Sequence, residues 1–166
     1  MTQPRENPPP ADELKEGDVA PDFTAETDEG VPLELTTLQG KRVVLYFYPK
    51  DDTPGCTIES CELRDAHPSI VEKDAVVLGV SPDSVASHQK FKKKFDLPFT
   101  LIVDEGHHIA ERYGVWKPKK VAGREFLGVK RTTFIIGRDG QIAKIFRNVK
   151  PRGHAEEVEN ALGDLP

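Results

Sequence analysis

Hydrophobic positions in this chain come in short runs separated by polar, glycine- and proline-bearing stretches, and their spacing alternates between strand-like and helix-like. Val43 to Pro49 ("VVLYFYP") is a continuous apolar and aromatic run of strand length, which suits a central strand covered on both faces. After it, Cys56 to about Lys73 reads as a helix, and Ala75 to Ser81 as a second buried strand. Ser84 to Phe95 reads as a helix with Ser84 as its cap, and Thr100 to Asp104 as a third strand. "HIAERYGV" predicts a short helix ended by Gly114. Arg131 to Phe146 has the pattern of a hairpin joined at Gly137 to Gly140, with Asp139-Gly140 supplying positive backbone dihedrals. A last helix is predicted from about His154 to Leu162, and two short strands around Asp28 to Gly30, then a helical turn near Leu38, precede the central run. Strands alternating with helices, followed by a hairpin and a terminal helix, predict an α/β fold with a central mixed sheet flanked by helices.

Composition narrows the function. With 166 residues there is room for one full hydrophobic core, and 37% hydrophobic with 31% charged residues is the balance of a globular chain. Residues 1–12 are rich in proline and polar groups, which predicts a flexible tail ahead of a single domain over 13–166. The net charge of −5, with both signs interspersed, argues against nucleic acid as a partner. No run approaches the roughly 20 apolar residues of a membrane span, and the N-terminus carries no apolar core of a signal peptide. The expectation is a cytoplasmic protein without membrane contact.

The two cysteines sharpen this picture. Both lie in "YFYPKDDTPGCTIESCELRD", as Cys56 and Cys61. Cys56 follows the buried strand through a loop stiffened by Pro49 and Pro54, and it falls at the start of the predicted helix, where open N–H groups and the helix dipole favour a thiolate. Thr53 places a hydroxyl three positions before it. On a regular helix, residues five apart point about 140° away from each other with Cα atoms roughly 8–9 Å apart, beyond the limit of about 7 Å for a disulfide. A bond between Cys56 and Cys61 therefore requires the helix start to unwind, which suits a disulfide made and released in a cycle. Oxidation of Cys56 to a sulfenic acid, attack by Cys61 and reduction by an outside thiol fit this arrangement. The paired short spacings of a zinc site are missing, and so is a C-x-x-C motif, since Thr53 stands where its first sulfur would be.

The segment resembles the peroxiredoxin signature P-x-x-x-T-x-x-C, with Pro49, Thr53 and Cys56 in place, and the second cysteine five residues on is similar to the peroxiredoxin Q, or bacterioferritin comigratory protein, group. The likeness extends through "GDVAPDF", "VLGVSPDS", "FTLIVDEG", "YGVWKPKK" and "RTTFIIGRDGQI". The resemblance implies a thioredoxin-like fold with an N-terminal extension and reduction of hydrogen peroxide and organic hydroperoxides by Cys56. It also implies Cys61 as resolving partner, Arg131 in "KRTTF" as the remaining active-site residue, and a thioredoxin-like protein as reductant. It implies no metal or organic cofactor. A resolving cysteine in the same chain suggests a monomer. The rival readings are a thiol-disulfide oxidoreductase and a redox-switched binding module; neither needs Thr53, Cys56 and Arg131 together.

Other residues are expected to be structural. His67, His88, His107, His108 and His154 are read as solvated, and the lysines of "KFKKKF" as the exposed face of a helix. Trp116 is placed in a loop over either the active site or the core, and Glu59 is assigned no role.

Overall fold

The computed structural model describes residues 14–165; the expected tail at 1–12 lies outside the described residues. In chain order the elements are β1 (Thr24–Glu26), β2 (Pro32–Glu34), a 3-10 turn (Leu35–Leu38), β3 (Arg42–Phe47), α1 (Pro54–Glu72), β4 (Ala75–Ser81) and α2 (Val85–Phe95). They continue with β5 (Thr100–Val103), α3 (His108–Arg112), β6 (Trp116–Val121), β7 (Arg124–Val129), β8 (Thr132–Ile136), β9 (Ile142–Phe146) and α4 (His154–Asp164).

The apolar run becomes β3, buried at every position and central in a five-stranded sheet of order β5-β4-β3-β8-β9. β3, β4 and β5 run parallel, whereas β8 and β9 pair antiparallel, so the sheet is mixed as predicted. The period of two sorts β3 between two cores. Val43, Leu45 and Phe47 join Tyr113, Ile109 and Phe134 on the side of α3 and the N-terminal segment. Val44, Tyr46 and Tyr48 join Leu63, Phe91 and Val158 on the side of α1, α2 and α4, and Cys56 belongs to this second cluster. Ser84 caps α2 as expected, its hydroxyl accepting from the Ser87 N–H at 3.1 Å. No helix among the described residues is long and apolar enough to cross a membrane.

Two local expectations are corrected. The stretch read as a loop around Trp116 is a second hairpin, β6 paired antiparallel with β7 through Ala122-Gly123 at φ 52° and 78°. Its strands are mostly exposed and carry proline and lysine, so no buried face imposes the alternation that reveals a strand. In the β8–β9 turn only Gly140 has positive φ, at 83°; Asp139 instead accepts from the Gln141 N–H at 3.0 Å, and a register shift falls between Ile135 and Ile136. A bulge there replaces the expected two-residue turn.

Gly79 in β4 is the notch that admits Tyr46 from β3. A Cβ at Gly79 would lie 2.8 Å from the Tyr46 ring and hydroxyl and 2.9 Å from Leu101. Gly79→Ala is therefore expected to destabilise the protein by about 1–3 kcal/mol in chemical denaturation, the usual cost of overpacking; a change below about 0.5 kcal/mol would show that Tyr46 moves aside freely.

Candidate active site

The site is built where β3 hands over to α1. β3 ends at Phe47, and the chain turns through Pro49 to Asp52 before Thr53, the extended N-cap of α1, with Pro54 as the first helical residue. Gly55 and Cys56 precede the first intrahelical bond, from the Thr57 N–H to the Thr53 carbonyl at 2.8 Å, so their N–H groups belong to the open end of the helix. Cys56 is 1% exposed, and both cysteines are free thiols.

Arg131, in the link before β8, reaches Cys56 from the sheet. Its Nη2 donates to the Cys56 sulfur at 3.4 Å, and its Nη1 donates to Glu59 Oε1 at 2.7 Å. This approach requires the bare backbone of Gly55, where a Cβ would stand 3.1 Å from Nη2 and 3.4 Å from Pro151. Burial works against the Arg131 charge, but Glu59 and Cys56 outweigh it and push its pKa up.

Glu59, expected to have no role, thus holds the arginine. It lies one turn after Cys56 on the same helix face, its side chain is wholly buried, and its Oε2 has no hydrogen-bond partner among the described residues. Burial outweighs the attraction of Arg131 and pushes its carboxyl up to about 7. The signal in the sequence is its i, i+3 spacing from Cys56; its cation is 72 residues away in the chain, beyond any local pattern.

The other predicted residues fall around this centre. The Thr53 hydroxyl donates to the Lys50 carbonyl at 2.8 Å, and no hydrogen bond joins it to the sulfur among the described residues. Pro49 is half-buried in the same loop. Cys61 is half-buried on an α1 that runs unbroken from Pro54 to Glu72, and burial pushes its thiol up. Next to it, Ser60 shares a buried hydrogen bond of 2.9 Å with the Tyr46 hydroxyl. The unexpected hairpin also borders the site: Lys119 on β6 is lowered by burial first and then by the charge of Arg131, and it feels Cys56.

His108 is exposed as expected, but the other histidines are not fully solvated. His88 and His154 are fully buried, His67 lies against Phe99, and His107 stacks on Trp116 with ring centroids 3.9 Å apart. Trp116 packs against the core cluster on the α3 side. Lys92 and Lys94 pair with Asp28 and Asp52, while Lys90 and Lys93 are exposed.

A buried thiol at a helix start, a guanidinium aimed at it and a second thiol on the same helix define a thiol-based redox enzyme on a thioredoxin-like sheet. The AhpC/TSA family model matches residues 17–145. Peroxiredoxin Bcp of Bacillus subtilis is 49% identical over 149 residues, covering 90% of this chain and 95% of the relative. Peroxiredoxin Bcp of Escherichia coli is 41% identical, covering 90% and 96%. Among solved structures, the Xanthomonas campestris bacterioferritin comigratory protein, described for its alkyl peroxide reduction activity, superposes with a TM-score of 0.84 at 35% identity, covering 91% of this chain and 96% of that one. The chain belongs to the AhpC/TSA family, among the peroxiredoxins of the Bcp, or Q, group.

Because the folded protein holds the Glu59 proton more tightly than the unfolded chain does, stability falls as pH rises from about 4.5 to about 7. Glu59→Gln is expected to lose this component, on the order of 2–3 kcal/mol between these limits. Denaturation midpoints of both proteins at pH 4.5 and 7.5 test it, and equal slopes would contradict it.

Proposed function

We propose that this chain is a thiol-dependent peroxidase that reduces hydrogen peroxide and organic hydroperoxides through Cys56. The observation that carries the reading is the Arg131 guanidinium, which donates to the Cys56 sulfur while Glu59 fixes it from behind. The Cys56 thiolate attacks the terminal peroxide oxygen: an S–O bond forms, the O–O bond breaks, and the alkoxide or hydroxide leaves and takes a proton. Arg131 and the open N–H groups of α1 hold the two oxygens and stabilise the charge on the leaving one. Thr53 is the N-cap residue of α1, with its hydroxyl closing the loop onto the Lys50 carbonyl, and Pro49 stiffens that loop.

The product is a Cys56 sulfenic acid. Cys61 then attacks the Cys56 sulfur, forming the S–S bond and releasing water. Two features of α1 set the order of events. An unbroken helix holds the thiols apart, and burial keeps Cys61 protonated, so resolution follows unwinding of the first turns, which brings the sulfurs together and solvates Cys61. The dithiol of a thioredoxin-like protein restores both thiols. Residues 13–166 work as one domain, in the cytoplasm and as a monomer, since resolution within one chain needs no second subunit.

Intact mass within a second of adding one equivalent of hydrogen peroxide tests the roles. The wild type is expected to lose two hydrogens, Cys61→Ser to gain one oxygen, and Cys56→Ser to stay unchanged. Oxidation of Cys56→Ser as fast as the wild type would contradict them.

A further inference from the structure

Five residues before Cys56, the chain is tied down by a buried cluster that the chemistry above does not use. Asp51 lies in the β3–α1 loop and His88 on α2; their side chains are 3% and 0% exposed, and His88 Nδ1 is 2.7 Å from Asp51 Oδ2. His88 Nε2 is 2.8 Å from the Ile102 carbonyl on β5. A carbonyl only accepts, so Nε2 carries a proton. Asp51 also receives the Tyr48 hydroxyl at 2.6 Å on Oδ1 and the Ser87 hydroxyl at 2.9 Å on Oδ2. A bare Nδ1 and a carboxylate oxygen would repel at 2.7 Å, so a proton lies between them, and it rests on the imidazole, the stronger base of the two. His88 is then an imidazolium buried against a carboxylate. Asp83, from the β4–α2 loop, adds a second negative charge and receives the Asp51 N–H at 2.8 Å and the Ser81 hydroxyl at 2.6 Å.

A second observation lies in the backbone. Asp52, directly after Asp51, sits in the left-handed region at φ 55°. Such a residue costs on the order of 1 kcal/mol and persists where its surroundings over-determine it. On one side Asp51 is held through its N–H and both carboxylate oxygens; on the other the Thr53 hydroxyl is bound to the Lys50 carbonyl. The strained turn sets the direction in which Thr53 and the first turn of α1 leave the sheet.

We infer that Asp51 and His88 are positioning residues, a proton-held clamp that fixes the turn at Lys50 to Thr53 and so aims Cys56 at Arg131, and that stays closed as the upstream limit when α1 unwinds. The inference rests on the peroxidase reading for its rate effect, but the clamp itself exists without it. The groups facing His88 are Asp51, Asp83, Tyr48, Ser87 and the Ile102 carbonyl, from four different parts of the fold. Burial lowers the His88 pKa, but its acceptors outweigh this and leave it above the ordinary 6.5. The clamp is thus complete below 6.5 and opens as pH rises through the higher folded value, when Nδ1 would turn a lone pair toward Asp51.

Imidazole nitrogen-15 spectra, exchange of the amides of 52–57 and the rate of Cys56 oxidation, each followed against pH in the wild type and in His88→Gln, test this. Both ring nitrogens of His88 are expected to be protonated at pH 6, with loss of the Nδ1 proton above 6.5 accompanied by a falling limb in the oxidation rate. His88→Gln should remain folded, lack that limb, oxidise about 10- to 100-fold more slowly at pH 6, and exchange faster at 52–57. If His88→Gln does not fold, Asp51→Asn takes its place with the same expectations. A neutral His88 ring at pH 6, or a folded variant with the wild-type rate and pH profile, would overturn the clamp. A wild type that consumes no peroxide would overturn only the peroxidase reading, because the ring titration and the amide exchange need no peroxide.

Discussion

The bridge from Cys56 through Arg131 to Glu59 is the constraint around which the rest of the molecule is arranged. A guanidinium is a rigid fork, and this one has a sulfur on one prong and a buried carboxyl on the other. For it to reach both, β8 must lie beside β3, α1 must start where the central strand ends, and Gly55 must leave the space a methyl group would fill. Pro151 closes the same gap from the β9–α4 loop, and the Val149 N–H fixes that loop to the Arg131 carbonyl at 3.1 Å. Glu59 is the costly part of the bridge, since its second oxygen is buried with no hydrogen-bond partner among the described residues. Removing one member of such a pair leaves the other uncompensated, so the three residues act as a unit.

The proposed cycle asks the same helix start to be both rigid and releasable. In the folded form it is pinned by Arg131 at Cys56, by Tyr46 at Ser60, and by Glu62, which accepts the Gly153 N–H at 2.9 Å. In the proposed cycle, a disulfide between Cys56 and Cys61 breaks at least the first of these. Each link is a single hydrogen bond, worth about 1 kcal/mol net when neutral and more when charged, so the combined cost suits a transient opening. In that proposed cycle oxidation tips the balance: a neutral sulfenic acid attracts the guanidinium less than a thiolate does, which would loosen the bridge in the state where Cys61 approaches.

The sheet and its flanking helices were legible because their burial is periodic. β3 reads as a central strand from its unbroken apolar run, and α2 from its cap at Ser84. The β6–β7 hairpin escaped because Lys117, Pro118, Lys119 and Lys120 present no buried face, although this hairpin carries Lys119 to the edge of the site. Cys56, Cys61, Thr53 and Pro49 stood together in one motif, and Arg131 was reached through the family pattern. Glu59 and the Asp51–His88 pair were not legible, for a shared physical reason. A buried charge is defined by its partner, and the partners lie 72 and 37 residues apart along the chain. A lone histidine on a lysine-rich helix reads as solvated until the fold shows the carboxylate in front of it.

In the proposed reaction Arg131, held by Glu59, stabilises charge on the reacting atoms. The most direct measurement is the second-order rate constant for oxidation of Cys56 by hydrogen peroxide in Arg131→Met against the wild type, with folding verified by circular dichroism. A fall of about 10²–10³-fold is expected, the usual cost of losing one preorganised donor. A folded variant within about threefold of the wild type, far short of that cost, would contradict it.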